Sequence, residues 1–172
     1  MKKLLSVILV LVMLFTFAAC MSGDTNRVKS TESKISLNFP STWIEMDLNP
    51  IATIQMGLGE KEQFFMVIEE PFTDFESGTT VLDYAELVRD HLVNNTGAAS
   101  TPSLKKVTIA KNITGQQFEL AVEFEEMNIT YYITCIEGDG HFYQLFSWSL
   151  DTTYKAAKVE FNKILDSVKF SK

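Results

Sequence analysis

The 172-residue chain predicts an α+β fold built on a central antiparallel β-sheet with helices covering both of its faces. Three observations carry that prediction. Residues 116–148 read as three consecutive strands, QQFELAVEFEE, ITYYITCIE and HFYQLFSWS, joined by short turns at Met127-Asn128 and Gly138-Asp139-Gly140. The first strand alternates, Phe118, Leu120, Val122 and Phe124 on one face and Glu119, Glu123 and Glu125 on the other, whereas the next two carry apolar or aromatic residues on both faces. Strands that are apolar on both sides need cover on both sides. Two amphipathic helical stretches, about 80–96 and 151–166, are available to supply it.

The elements follow in chain order. Lys2 and Lys3 precede an apolar run from Leu4 to Phe17, then Ala18-Ala19-Cys20. This is the charge, length and small-residue pattern of a secretory leader, and the run is shorter than the roughly 20 residues of a spanning helix. Phe17-Ala18-Ala19-Cys20 resembles the lipobox of bacterial lipoproteins, so residues 1–19 are expected to be a lipoprotein signal peptide and Cys20 the lipidated N-terminus. Several acyl chains there anchor a protein stably, at about 0.8 kcal/mol per buried methylene. The polar stretch to Ser33 reads as a flexible tether (residues 20–33), and residues 34–172 as a single domain.

In that domain Ile35, Leu37 and Phe39 alternate with polar residues up to Pro40, giving a first strand. Residues 51–58 read as a second and 64–68 as a third, with Pro71 ending it. A loop at 71–79 carries two apolar aromatics, Phe72 and Phe75. Thr80 and Asp83 form a capping pattern ahead of the stripe Leu82, Ala85, Val88 and Leu92, and Gly97 closes that helix. Leu104 to Ile109 is a short strand, turned at Asn112 to Gly115. After the meander, Tyr154, Ala157, Phe161 and Ile164/Leu165 make the stripe of the last helix, and Val168-Lys169-Phe170 a short edge strand.

Composition narrows function more than any motif does. With 46% hydrophobic and 22% charged residues the chain is globular rather than disordered. Without residues 1–19 there are 13 Lys and Arg against 22 Asp and Glu, a charge of −9, which argues against nucleic acid and against adsorption to anionic lipid heads. The only histidines are His91 and His141, and no nucleophile elbow, phosphate loop or zinc-protease pattern accompanies them, so no catalytic role and no enzyme is expected. Once Cys20 is acylated, Cys135 has no partner within the chain, and its apolar neighbours suit a buried structural thiol. The acidic clusters Glu69-Glu70 and Glu123, Glu125, Glu126 lack calcium-loop spacing, so no metal and no cofactor is expected. Three Asn-x-Thr triplets, at Asn94, Asn112 and Asn128, are chance matches behind a bacterial-type leader. Phe72 and Phe75 remain as candidate partner-binding residues, because loop aromatics often anchor partners.

Phe39-Pro40-Ser41-Thr42-Trp43, the helix at 80–96, Gly115 ahead of the meander, and Phe161 to Phe170 (F-x-x-I-L-x-S-V-K-F) together resemble the PsbP-like superfamily. That group includes the photosystem II extrinsic subunit, a Ran-binding nuclear import factor and many small bacterial lipoproteins. Its members commonly have Gly before the Trp, where this chain has Thr42. The resemblance implies an α/β/α sandwich and a binding or assembly module, with no catalytic residues to carry over. The expectation is a lipoprotein held to a bacterial membrane on its extracytoplasmic side through Cys20, binding or assembling another envelope protein. The alternative is a small-ligand carrier or sensor with an apolar pocket between sheet and helix.

Overall fold

The computed structural model describes residues 24–30 and 34–170, so Cys20 and the leader lie outside the described residues. The fold is mixed α+β, with antiparallel sheets and two helices among the described residues. Strands β1 (Thr25–Lys29), β2 (Ile35–Pro40) and β10 (Lys169–Phe170) form one sheet in the order β1-β2-β10. Strands β3 (Ile44–Glu45), β4 (Ile54–Leu58), β5 (Gln63–Pro71), β6 (Lys105–Ile109), β7 (Ile113–Phe124), β8 (Met127–Gly138) and β9 (His141–Leu150) form a seven-stranded sheet in the order β3-β4-β5-β9-β8-β7-β6. Helix α1 spans Val81–Thr96 and helix α2 Asp151–Leu165.

Two expectations are corrected here. The strand at 35–40 is not part of the central sheet: it pairs β1 and β10 in a separate one. Part of the supposed tether is structured, since Thr25–Lys29 pairs residue by residue with β2, from Thr25 opposite Pro40 to Lys29 opposite Ser36. Arg27 fastens that pairing, donating to Asn38 Oδ1 at 2.9 Å and Ser36 Oγ at 2.6 Å.

The meander forms as expected, but its first turn falls at Glu125-Glu126 rather than Met127-Asn128. Both glutamates have positive φ, 48° and 68°, as do Asp139 (51°) and Gly140 (82°) in the second turn. Two such residues make the turn that suits strand twist, and Asp-Gly adopts it readily. Each left-handed glutamate costs roughly 1–2 kcal/mol. Register outweighs that cost, because this turn sets Phe118 opposite Ile133 and Val122 opposite Ile129. A turn at Met127-Asn128 would set Phe118 opposite Glu137. The preceding turn is also displaced: β7 already begins at Ile113, so Gly115 lies within a strand, opposite Ile136.

Alternation along β8 divides the core. Tyr132 and Ile136 join one cluster with Ile35, Leu37, Phe39, Phe65, Tyr143, Leu145 and the α2 residues Ala157, Phe161, Ile164 and Leu165. Ile133 and Cys135 join another with Met66, Phe118, Leu120, Phe142, Phe146 and the α1 residues Tyr84, Ala85 and Val88. Burying each of these large side chains contributes about 1.5–3 kcal/mol. In the first cluster Trp43 sets its ring edge-on to Phe161 at 6.4 Å and donates from Nε1 to Glu160 Oε1 at 2.6 Å, which ties the Pro40–Ile44 corner to α2. The stripe of α1 differs from expectation: Leu82 is exposed, and Tyr84 is buried in its place.

Candidate functional site

Beside α1 the seven-stranded sheet is incompletely covered, leaving a groove of about 660 Å³. Its floor is the set of side chains that strand alternation sends to the α1 side: Met66, Ile68 and Glu70 from β5, with Gln144 and Phe146 from β9. Register brings them together, Met66 lying opposite Phe146 and Ile68 opposite Gln144. Tyr84, Leu87, Val88 and His91 of α1 make one wall, and Asn49 and Ile51 from the β3–β4 connection make the other. Leu87 and Ile51 are 59% and 66% exposed, so the mouth is rimmed by apolar side chains that lack cover.

The position of α1 follows from local chemistry. Thr80 accepts from Asp83 N–H through its hydroxyl, and the Asp83 carboxylate accepts from Thr80 N–H at 2.9 Å, a closed capping box. That box satisfies orphan donors at the helix start. These hydrogen bonds hold the Asp83 carboxyl below its ordinary value against a small opposing effect of desolvation. Gly97, at φ 65°, ends the helix.

At the base of the groove the Glu70 carboxylate accepts from Tyr84 OH at 2.5 Å and from Gln144 Nε2 at 3.1 Å. Burial, and then the hydrogen bond to Glu70 and its charge, push the Tyr84 phenol well above its ordinary value, so it stays protonated and donating. Behind it Cys135, opposite Gln144 and fully buried, is pushed up by burial and then by Glu70, which keeps the thiol protonated and poorly nucleophilic. Tyr84 stacks on Phe142 at 4.6 Å, and Phe75 meets both rings edge-on at 5.4 and 5.3 Å.

The two loop aromatics therefore take different places. Phe75 folds back and forms the end wall of the groove, whereas Phe72, 40% exposed, lies against Phe142 outside it. Strand alternation parts the two neighbouring acids: Glu70 enters the groove, and Glu69 shares the other face with buried Tyr143. Burial, then Glu69 and Asp139, push the Tyr143 phenol up to about 12. His91 lies on the groove wall with Nε2 2.8 Å from Asn95 Nδ2, and His141 sits at the β8–β9 turn, where Nδ1 is 3.1 Å from the Asp139 carbonyl. Among the described residues no three His, Cys, Asp or Glu side chains are grouped to hold a metal.

A second, acidic depression continues from the groove past Phe75, Leu87 and Asp90, and is lined by Asp74, Glu76, Asp83 and Glu86. Among the described residues no lysine or arginine lines either depression, although Arg89 pairs with Asp90 at 2.8 Å just beside them. Sequence reading missed Glu70, Tyr84 and Gln144 as a group. The available signal was the polar pair Glu70 and Gln144 in otherwise apolar strands, but nothing local says that they meet.

Solved structures with a similar fold agree with this architecture. The cyanobacterial PsbP protein of Synechocystis sp. PCC 6803 matches with a TM-score of 0.61 at 14% identity, over 92% of this chain and 99% of that one. LpqN of Mycobacterium tuberculosis, involved in cell envelope biogenesis, matches with a TM-score of 0.55 at 11% identity, over 87% and 91% of the two chains. A protein from Bacteroides thetaiotaomicron gives 0.56 at 11%, covering 88% of this chain and 50% of that one. No family model and no curated protein sequence matches the chain. The fold is PsbP-like.

Proposed function

We propose that this chain is a lipid-anchored, extracytoplasmic binding module of a bacterial cell envelope, without catalytic activity, that recognises a protein partner in the groove beside α1. The observation that carries the reading is the groove: an apolar floor, one hydrogen-bonded carboxylate at its base and a rim of exposed Leu87 and Ile51. Exposed apolar rims around a shaped depression are a usual mark of interaction sites. The architecture is read as an α/β/α sandwich, and what supports this is that α1 and α2 contribute to different core clusters. The envelope assignment draws support from the lipobox-like Phe17-Ala18-Ala19-Cys20 and from a structural neighbour involved in cell envelope biogenesis. With β1 starting at Thr25, only residues 21–24 separate Cys20 from paired structure. The five Cα–Cα steps from Cys20 to Thr25 extend at most about 18 Å, so in this reading the domain rides close to the bilayer.

The test is a photo-crosslinking amino acid at Leu87 in intact cells, with the same group at Val159, an exposed residue of α2, as control. A discrete protein adduct from Leu87 alone is the expected result; adducts from Val159 alone would overturn the placement. The groove volume favours a second reading, a small-ligand carrier, since small-molecule pockets run from about 300 to 1,000 Å³. A small molecule that co-purifies with the protein and is lost on substitution of Ile68, with no protein adduct at Leu87, would favour that reading.

A further inference from the structure

The charges around the groove narrow its occupant. Glu70 is the acid at the base, and its two donors among the described residues, the Tyr84 hydroxyl and the Gln144 amide, are neutral, so hydrogen bonding orients the carboxylate without cancelling its charge. Among the described residues neither the groove nor its acidic continuation is lined by a lysine or arginine, while Asp74, Glu76, Asp83, Glu86 and Asp90 stand along one side. Arg89 offsets Asp90, and the capping box uses Asp83 without neutralising it. A carboxylate flanked by Met66, Ile68, Phe146 and Val88 faces lower dielectric than one in water, which strengthens attraction to a cation that also brings apolar surface. Complementary potentials across an interface fix register and reject like-charged partners.

We propose that the groove takes an amphipathic basic segment of a partner protein, its apolar side chains on Met66, Ile68 and Phe146, one lysine or arginine directed to Glu70, and further cations along the Asp74–Asp90 side. This rests on the groove being the recognition surface. The two-part shape, apolar then acidic, suits a chain that continues past the first anchor.

The experiment uses the full-length protein in phosphatidylcholine nanodiscs, whose neutral headgroups do not compete for cations. It is titrated with a short Lys/Leu amphipathic peptide, its Glu/Leu and Ser/Leu counterparts, and hexylamine. The Lys/Leu peptide should bind, weaken with salt, and bind about tenfold less tightly to Glu70→Gln, the scale for losing one hydrogen bond to a charge. Leu87→Lys and Leu87→Glu both remove the exposed leucine with little risk to folding, and affinity should be higher for the glutamate variant. Equal binding of the Ser/Leu or Glu/Leu peptide overturns the basic occupant and leaves the groove reading standing. Binding of hexylamine but of no peptide, with the same dependence on Glu70, overturns it in favour of a small cation. Failure of all four probes while Leu87 still crosslinks a protein in cells refutes the charge argument alone. Failure of all four together with no adduct at Leu87 refutes both readings.

Discussion

Replacing Gly115 by alanine should destabilise the protein more than replacing Gly57, although the closest contact is shorter at Gly57. A Cβ at Gly57 meets Met46 Sδ at 2.1 Å and Phe64 Cδ1 at 3.1 Å. The thioether end of a methionine swings aside at little cost. A Cβ at Gly115 meets the Cys135 carbonyl oxygen at 2.3 Å and Ile136 Cγ2 at 2.7 Å, where ordinary contact begins at 3.4 Å. That oxygen belongs to the backbone of β8, so the β7–β8 ladder itself must part by about an ångström at its Gly115–Ile136 pair. Overpacking of this kind costs about 1–3 kcal/mol. Both alanines also lower the entropy of the unfolded chain, a gain of about 0.4–1 kcal/mol that cancels between them. The expected difference is about 2 kcal/mol, or about 4–8 °C in Tm for a chain of this size. Urea unfolding of the two variants, followed by Trp43 and Trp148 fluorescence, reads it directly. Equal midpoints, or a lower one for Gly57→Ala, would refute the claim that the kind of atom struck outweighs the distance.

Thr80→Ala should cost about 0.5–2 kcal/mol by opening the cap of α1, measured as a shift of the urea midpoint. Because Asp83 titrates below its ordinary value when folded, its contribution is present above the unfolded pKa of about 3.8 and is lost as pH falls through the lower folded value. The acid-side fall in stability below about pH 4 should therefore be shallower in Asp83→Asn, as a pH series of unfolding curves would record. Cys135, fully buried with its thiol pushed up, should resist iodoacetamide in the native protein and react at the rate of global unfolding; fast native labelling would contradict its placement. Cys20→Ser should leave a protein without acyl mass that is soluble or uncleaved, by mass spectrometry and membrane fractionation, and unchanged processing and anchoring would remove the lipoprotein reading.

Local features were legible where a few neighbouring residues decide them. Thr80, Asp83 and Gly97 mark the ends of α1 through hydrogen bonds that reach only three or four positions. The two-faced apolar content of β8 and β9 predicts that both faces of these two strands are buried, and Ile133 and Ile136, which join different core clusters, meet that expectation. Asn128 was a poor guide to the turn, because Phe118, Leu120 and Val122 settle register by the residues they face across the ladder. Leu82 fits a helical stripe as well as Tyr84 does; only the position of Glu70 and Phe142 selects the tyrosine.

The candidate site lies at the far end of this scale. Glu70, Tyr84 and Gln144 come from β5, α1 and β9, and a side chain carries no record of which distant strand will become its neighbour. The sequence by itself determined the acidic charge, the leader pattern ending at Cys20, the helix caps and the strands of the meander, all properties of composition or of short-range bonding. Tertiary structure decided that Thr25–Lys29 joins Ile35–Pro40 in a second sheet, that Phe75 turns inward while Phe72 stays outside, and that one carboxylate sits under an open apolar groove. Those outcomes depend on burial summed over contacts distant in the chain, where the gain from a pairing exists only once the rest of the core has closed around it.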